Sequence, residues 1–179
     1  MPYGVYDTIS KAGLVTVGSD HDTAAFAVER IRGWWHTTGQ PLNAGKTERL
    51  IASDGGGPNG VRDGLWKREL QQLANERGLA ITVRHLRAAT SKWNRIEHRR
   101  SCCILIKWYA KPLVSRETSS ELLDHTMTRE GWTVTAVVDQ DRYSLGVQVT
   151  AAEMDQLDLR RDAFHPEWNY SLRPQTKIT

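Results

Sequence analysis

A chain of 179 residues that is 39% hydrophobic and 25% charged is long enough for one ordinary globular core and short for two. No apolar run approaches a membrane span, the longest clear one being Cys102 to Ile106, and the N-terminus lacks a basic-then-apolar signal segment, so a soluble cytoplasmic protein is expected. The two cysteines, Cys102 and Cys103, are adjacent, which excludes a loop-closing disulfide and the paired spacing of a zinc site.

Tyr3 to Asp7 and Leu14 to Val17 read as two short strands of a hairpin, turned at Ser10-Lys11-Ala12-Gly13. Ala24, Ala27, Val28, Ile31, Trp34 and Trp35 follow at helical spacing, with Asp22 or Thr23 as the N-cap. Asp20, His21 and Asp22 have metal-binding chemistry, but capping and turn formation account for them more simply. Leu50 to Asp54 predicts a strand, Leu65 to Ala74 a helix closed by Gly78, and Leu79 to Leu86 another strand. A basic helix is expected from about Ser91 and a further helix around Arg116 to Met127. Thr133 to Val138 alternates as a strand, Asp139-Gln140-Asp141 forms a turn, and Gly146 to Val149 predicts one more strand. Thr150 and Glu153 make a capping box for a short helix. The aromatic tail His165 to Tyr170 has the chemistry to stack a base, although docking on the core is the simpler reading of a Trp/Tyr pair. This alternation of strands and helices predicts an α/β fold with a mixed sheet.

Two stretches carry chemistry. Leu50-Ile51-Ala52-Ser53 delivers Asp54 to a strand end, and Gly55-Gly56-Gly57-Pro58-Asn59-Gly60 follows as a loop in which backbone can approach a bulky partner. Such strand ends are where open α/β sheets bind ligands, and a carboxylate there suits a hard cation. No Gly-Lys-Ser/Thr ending is present, which disfavours a P-loop. The second stretch is Thr90-Ser91-Lys92-Trp93-Asn94-Arg95-Ile96-Glu97-His98-Arg99, a capped helix start with one acid among cations. From Arg84 to Lys111 there are eight basic residues and only Glu97 as acid, so this segment carries +7 while the remainder carries −4, against a net charge of +3. A local basic patch is the footprint of a polyanion, and phosphoryl chemistry needs carboxylates for divalent metals with cations around them.

Asp54-Gly55-Gly56-Gly57-Pro58-Asn59-Gly60 followed by Thr90 to Arg99 resembles the second and third carboxylate motifs of the Rhodopirellula-type DDE transposases, a bacterial insertion-sequence family. Pro2-Tyr3-Gly4-Val5-Tyr6-Asp7, Gly18-Ser19-Asp20-His21-Asp22-Thr23-Ala24 and Glu167-Trp168-Asn169-Tyr170 resemble that family too, so the likeness runs over nearly the whole chain. It implies a ribonuclease-H-like mixed sheet with flanking helices over residues 1–112 and a small β/α extension over 113–179. It also implies metal-dependent DNA cleavage and strand transfer with two Mg²⁺ (or Mn²⁺) ions, Asp54 and Glu97 being catalytic metal ligands. Lys92, Asn94, Arg95 and Arg99 would then lie against DNA, either transposon end or target, in a self-associated complex. The family's first aspartate comes from a strand preceding the matching part, whereas Met1 stands directly before the Pro-Tyr-Gly motif. An incomplete, inactive fragment is therefore expected. The alternatives are a non-catalytic DNA-binding remnant and a ribonuclease-H-like nuclease. Two places depart from the pattern: Arg87-Ala88-Ala89 replaces a proline- and glycine-containing loop, and Arg100 stands where an apolar helix residue is expected.

Overall fold

The structure, a computed structural model, describes residues 2–18, 21–86, 126–127 and 133–175. The first hairpin forms as expected. β1 (Pro2–Asp7) pairs antiparallel with β2 (Ala12–Gly18), and the Asp7 carboxylate fixes the turn by accepting the N–H groups of Ile9 (2.8 Å) and Ser10 (3.2 Å). β2 continues into a parallel pair with β6 (Thr133–Asp139), and β5 (Thr126–Met127) closes this first sheet antiparallel to β6, in the order β1-β2-β6-β5.

The second sheet has the order β3-β4-β8-β7. β3 (Glu48–Asp54) and β4 (Ala80–Leu86) are parallel, and β8 (Asn169–Leu172) is antiparallel to both β4 and β7 (Leu159–Arg161). β4 shows why it forms: Ile81, Val83 and His85 are buried while their neighbours are less so, the period of two of a half-buried strand. The fold is thus α/β with two mixed sheets, where one mixed sheet was expected.

Both sheets share one core. α1 (Ala24–Trp34) is capped by Thr23, whose Oγ1 accepts the Phe26 N–H at 3.2 Å, and it buries Ala27, Val28, Ile31 and Trp34. A π-helical turn (Trp35–Gly39) and a single turn, α2 (Gln40–Leu42), extend it. α3 (Gly64–Arg77) starts at Asp63, which accepts from Leu65 N–H (2.8 Å) and Trp66 N–H (3.3 Å), and stops at Gly78 in the left-handed conformation. Trp66, Leu70, Leu73 and Ala74 of α3 pack with α1, with Ile81 and Val83 of β4 and with Tyr170 and Leu172 of β8. α4 (Ala151–Asp155) carries the expected capping box.

Three expectations change. Gly146 to Val149 is not a strand: Gly146 has φ 67°, and Val149 instead packs on Gly64 at the start of α3. Of the helix expected around Arg116 to Met127, Thr126 and Met127 are described, and they are strand; the rest lies outside the described residues, as does the basic helix from Ser91. β7 and β8 were not foreseen. Among the described residues no helix is long and apolar enough to cross a membrane.

Candidate functional site

β3 delivers Asp54 to its end as the sequence implies, half-buried, with Ser53 turned inward to His85 on β4; Ser53 Oγ and His85 Nδ1 are 3.2 Å apart. The loop beyond is built by its own backbone. The Val61 N–H reaches the Gly55 carbonyl (3.3 Å), Gly60 N–H reaches Gly57 (3.1 Å), and Asp63 N–H reaches Gly60 (3.0 Å). The three glycines differ in role. A Cβ on Gly55 would lie 2.8 Å from Val61 Cγ2, Gly57 has φ 60°, and Gly56 is extended, exposed and has no atom within 4 Å of where a Cβ would stand.

The two sheets meet at this loop. Tyr3 at the start of β1 donates its hydroxyl to Asn59 Oδ1 (2.8 Å), while Asp7 at the end of β1 attracts Arg49 near the start of β3. β1 and β3 therefore run in opposite senses, and β2, β6, β3 and β4 all point toward one edge. That edge carries Gly18, Asp139, Asp54 and Leu86. Among the described residues β1 and β3 are each the end strand of their sheet.

The strand-end carboxylates are used differently. Asp7 fixes its turn. Asp139 is buried and held by Arg30 (3.2 Å), by the Tyr143 hydroxyl (2.8 Å) and by the Asp141 N–H (3.0 Å). Burial pushes the Tyr143 phenol up, and its bond to Asp139 pushes the same way. Asp54, by contrast, makes no hydrogen bond or ion pair with its carboxylate among the described residues. Beneath it, His85 is held below the usual imidazole range by burial; the Lys67 charge adds to this, and the Asp54 backbone carbonyl and charge oppose it. His85 Nε2 is buried without a hydrogen-bond partner among the described residues.

Of the residues singled out from the sequence, Glu97, Lys92, Asn94, Arg95, Arg99 and Asp20 lie outside the described residues. Asp22 is exposed beside the Thr23 cap. Arg84, counted in the basic patch, is paired with Asp162 of the β7–β8 connection. The docking reading of the tail holds for Tyr170, which is 1% exposed. Sequence reasoning missed His85 and the Arg30–Asp139–Tyr143 network; the signal for Asp139 was present, an apolar strand ending in aspartate as at Asp54.

Among the described residues no three His, Cys, Asp or Glu side chains come together as a metal site. No curated protein and no solved structure matches the chain. A family model does: the Rhodopirellula transposase DDE domain matches residues 1–174. Transposase-type function, with DNA as partner, follows from that match, and the chain belongs to the Rhodopirellula transposase DDE domain family.

Proposed function

We propose that this chain supplies two metal ligands, Asp54 and Glu97, to metal-dependent DNA cleavage and strand transfer on a ribonuclease-H-like core, and needs one further strand to complete the reaction. The observation that carries this reading is the unspent carboxylate of Asp54. Asp7, Asp63 and Asp139 all satisfy backbone or side-chain donors of the fold, while Asp54, at the same edge as Asp139, satisfies none among the described residues. An oxygen donor at a half-buried strand end, beside an open glycine loop, fits Mg²⁺ or Mn²⁺. A bound ion of this kind supplies charge to phosphoryl oxygens and orients attacking and leaving groups. Lys92, Asn94, Arg95 and Arg99 we assign to the DNA backbone, in an assembly that brings transposon end and target together.

The placement of β1 and β3 supports the second part of the proposal. Among the described residues no strand pairs with either of them on the side where the sheets meet, α1 packs on β1 and on α3, and the Tyr3–Asn59 bond holds the ends together. A strand seated there would be antiparallel to β1 and parallel to β3, and would end on the same edge as Asp54. We assign this place to the family's first strand with its aspartate, supplied from outside the described residues.

The test is Mg²⁺-dependent cleavage of end-labelled DNA by the 179-residue chain alone and by the chain carrying an in-frame N-terminal strand with an aspartate. The proposal expects no cleavage from the first and cleavage plus strand transfer from the second, abolished by Asp54→Asn. Nicking without strand transfer favours a nuclease, and binding without nicking by either form favours a non-catalytic DNA-binding protein.

A further inference from the structure

β7 and β8 are joined by residues 162–168, a short loop that presents an aromatic side chain to solvent under unusual constraint. Phe164 is 71% exposed, yet its backbone is fixed on both sides. Its N–H donates to Asp162 Oδ1 (2.8 Å), and its carbonyl accepts from Nδ2 of the buried Asn169 (2.8 Å). Asp162 is in turn paired with Arg84 on β4. The Trp168 and Asn169 N–H groups both reach the His165 carbonyl (2.9 Å each), and Arg161 donates to the Pro166 carbonyl (3.1 Å). His165 itself sits at φ 52°, a left-handed conformation that such anchoring holds in place.

The rings form a ladder. His165 lies flat on Trp168, with centroids 4.7 Å apart and planes at 17°, and Phe164 meets His165 edge-on at 4.4 Å. Most of the Phe164 ring remains in water. A loop free to rearrange would turn such a ring onto the protein; here the backbone bonds hold it outward. Residues 158–168 together with Arg84 carry no net formal charge, Arg84, Arg160 and Arg161 standing against Asp158, Asp162 and Glu167. The recognition element is therefore a flat apolar face and not a phosphate-binding patch.

Register locates this face. Arg84 pairs with Asn169 on one side and Ala52 on the other, so the chain before Asn169 leaves the sheet at the edge reached by Asp54. Two strand spacings, about 10 Å, separate β8 from β3, a span that DNA lying across this edge can bridge. We propose that Phe164 stacks on an unpaired nucleobase of the same DNA whose phosphodiester is held at Asp54. This rests on the transposase reading and adds to it a base-contacting residue outside the carboxylate motifs. Stacking on a side chain is tolerant of sequence, because every base offers a π-face.

The full chain, Phe164→Ala and Phe164→Tyr are compared for binding to an intact duplex and to the same DNA with a short single-stranded stretch, 2-aminopurine being placed at successive positions along that stretch. Phe164→Ala is expected to weaken binding to the single-stranded form roughly 5- to 150-fold. It should also remove the 2-aminopurine quenching and leave duplex binding and the unfolding midpoint unchanged, and Phe164→Tyr should restore both signals. Equal affinities of wild type and Phe164→Ala for the single-stranded form overturn the stacking role, while salt-sensitive duplex binding by wild type keeps the transposase reading. Failure of wild type to bind either DNA overturns both.

Discussion

The Tyr3 hydroxyl and the Asn59 side-chain carbonyl, 2.8 Å apart, join the outer strand of one sheet to the loop that follows Asp54 in the other. With no strand between β1 and β3 among the described residues, this bond and the packing of α1 keep the two sheets aligned. Tyr3→Phe removes the donor and leaves the ring against Phe26, where the centroids are 5.9 Å apart. It should cost about 0.5–1.5 kcal/mol in urea unfolding. No change in the unfolding midpoint would show that the bond contributes nothing to sheet alignment.

Asp139 and Asp54 end strands at the same edge but should respond oppositely to mutation. Asp139 is 5% exposed and Arg30 14% exposed in their side chains, so Asp139→Ala leaves a guanidinium unpaired and mostly out of water. The expected loss is about 3 kcal/mol or more. Asp54→Asn removes no described bond and should leave stability within about 0.5 kcal/mol. Equilibrium unfolding of the two variants checks this; a large loss from Asp54→Asn would make Asp54 a structural residue.

His85 gives the protein an acid-side weakness. Burial holds its folded-state pKa below the unfolded value of about 6.5. Its neutral form is thus favoured by folding. Stability from this group is fully present above about pH 6.5 and falls as pH drops toward the folded-state pKa, where the buried ring must take a proton. His85→Gln should flatten the stability profile below about pH 6.5 relative to wild type. Parallel profiles for the two proteins would contradict it.

The glycine loop separates packing from openness. Gly55→Ala forces a methyl to within 2.8 Å of Val61 and should destabilise by about 1–3 kcal/mol. Gly56→Ala meets nothing within 4 Å at φ −120° and should be neutral or slightly stabilising. Thermal unfolding of the pair reads both outcomes; equal effects would mean the loop's packing differs from that described.

Legibility in the sequence followed the range of the interactions. α1, α3 and the Thr150–Glu153 box were readable because spacing, caps and the Gly78 stop are local signals. β7 and β8 were not, since three- and four-residue strands carry too few alternations to show a period. Gly146 to Val149 misled because valines suit strands, while Gly146 takes a turn conformation and Val149 fills a gap over Gly64. At the site, Asp54 and Asp139 present the same signature of an apolar strand ending in aspartate. What distinguishes them is Arg30 and Tyr143, brought to Asp139 by tertiary folding alone. The division into two sheets is likewise a relation between distant edges.

The account stands on Asp54 and Glu97 sharing a metal ion, and Mn²⁺ binding followed by electron paramagnetic resonance tests that most directly. Affinity would be measured for wild type, Asp54→Asn, Glu97→Gln and the double variant, each bound to duplex DNA, with Asp22→Asn as the control. Ligands of one ion act as a unit, so each single substitution should weaken Mn²⁺ binding about tenfold or more, and the double variant should lose little beyond either single one. Asp22→Asn should bind as wild type does. Independent, additive losses at Asp54 and Glu97, or unchanged binding when either is replaced, would contradict the shared site.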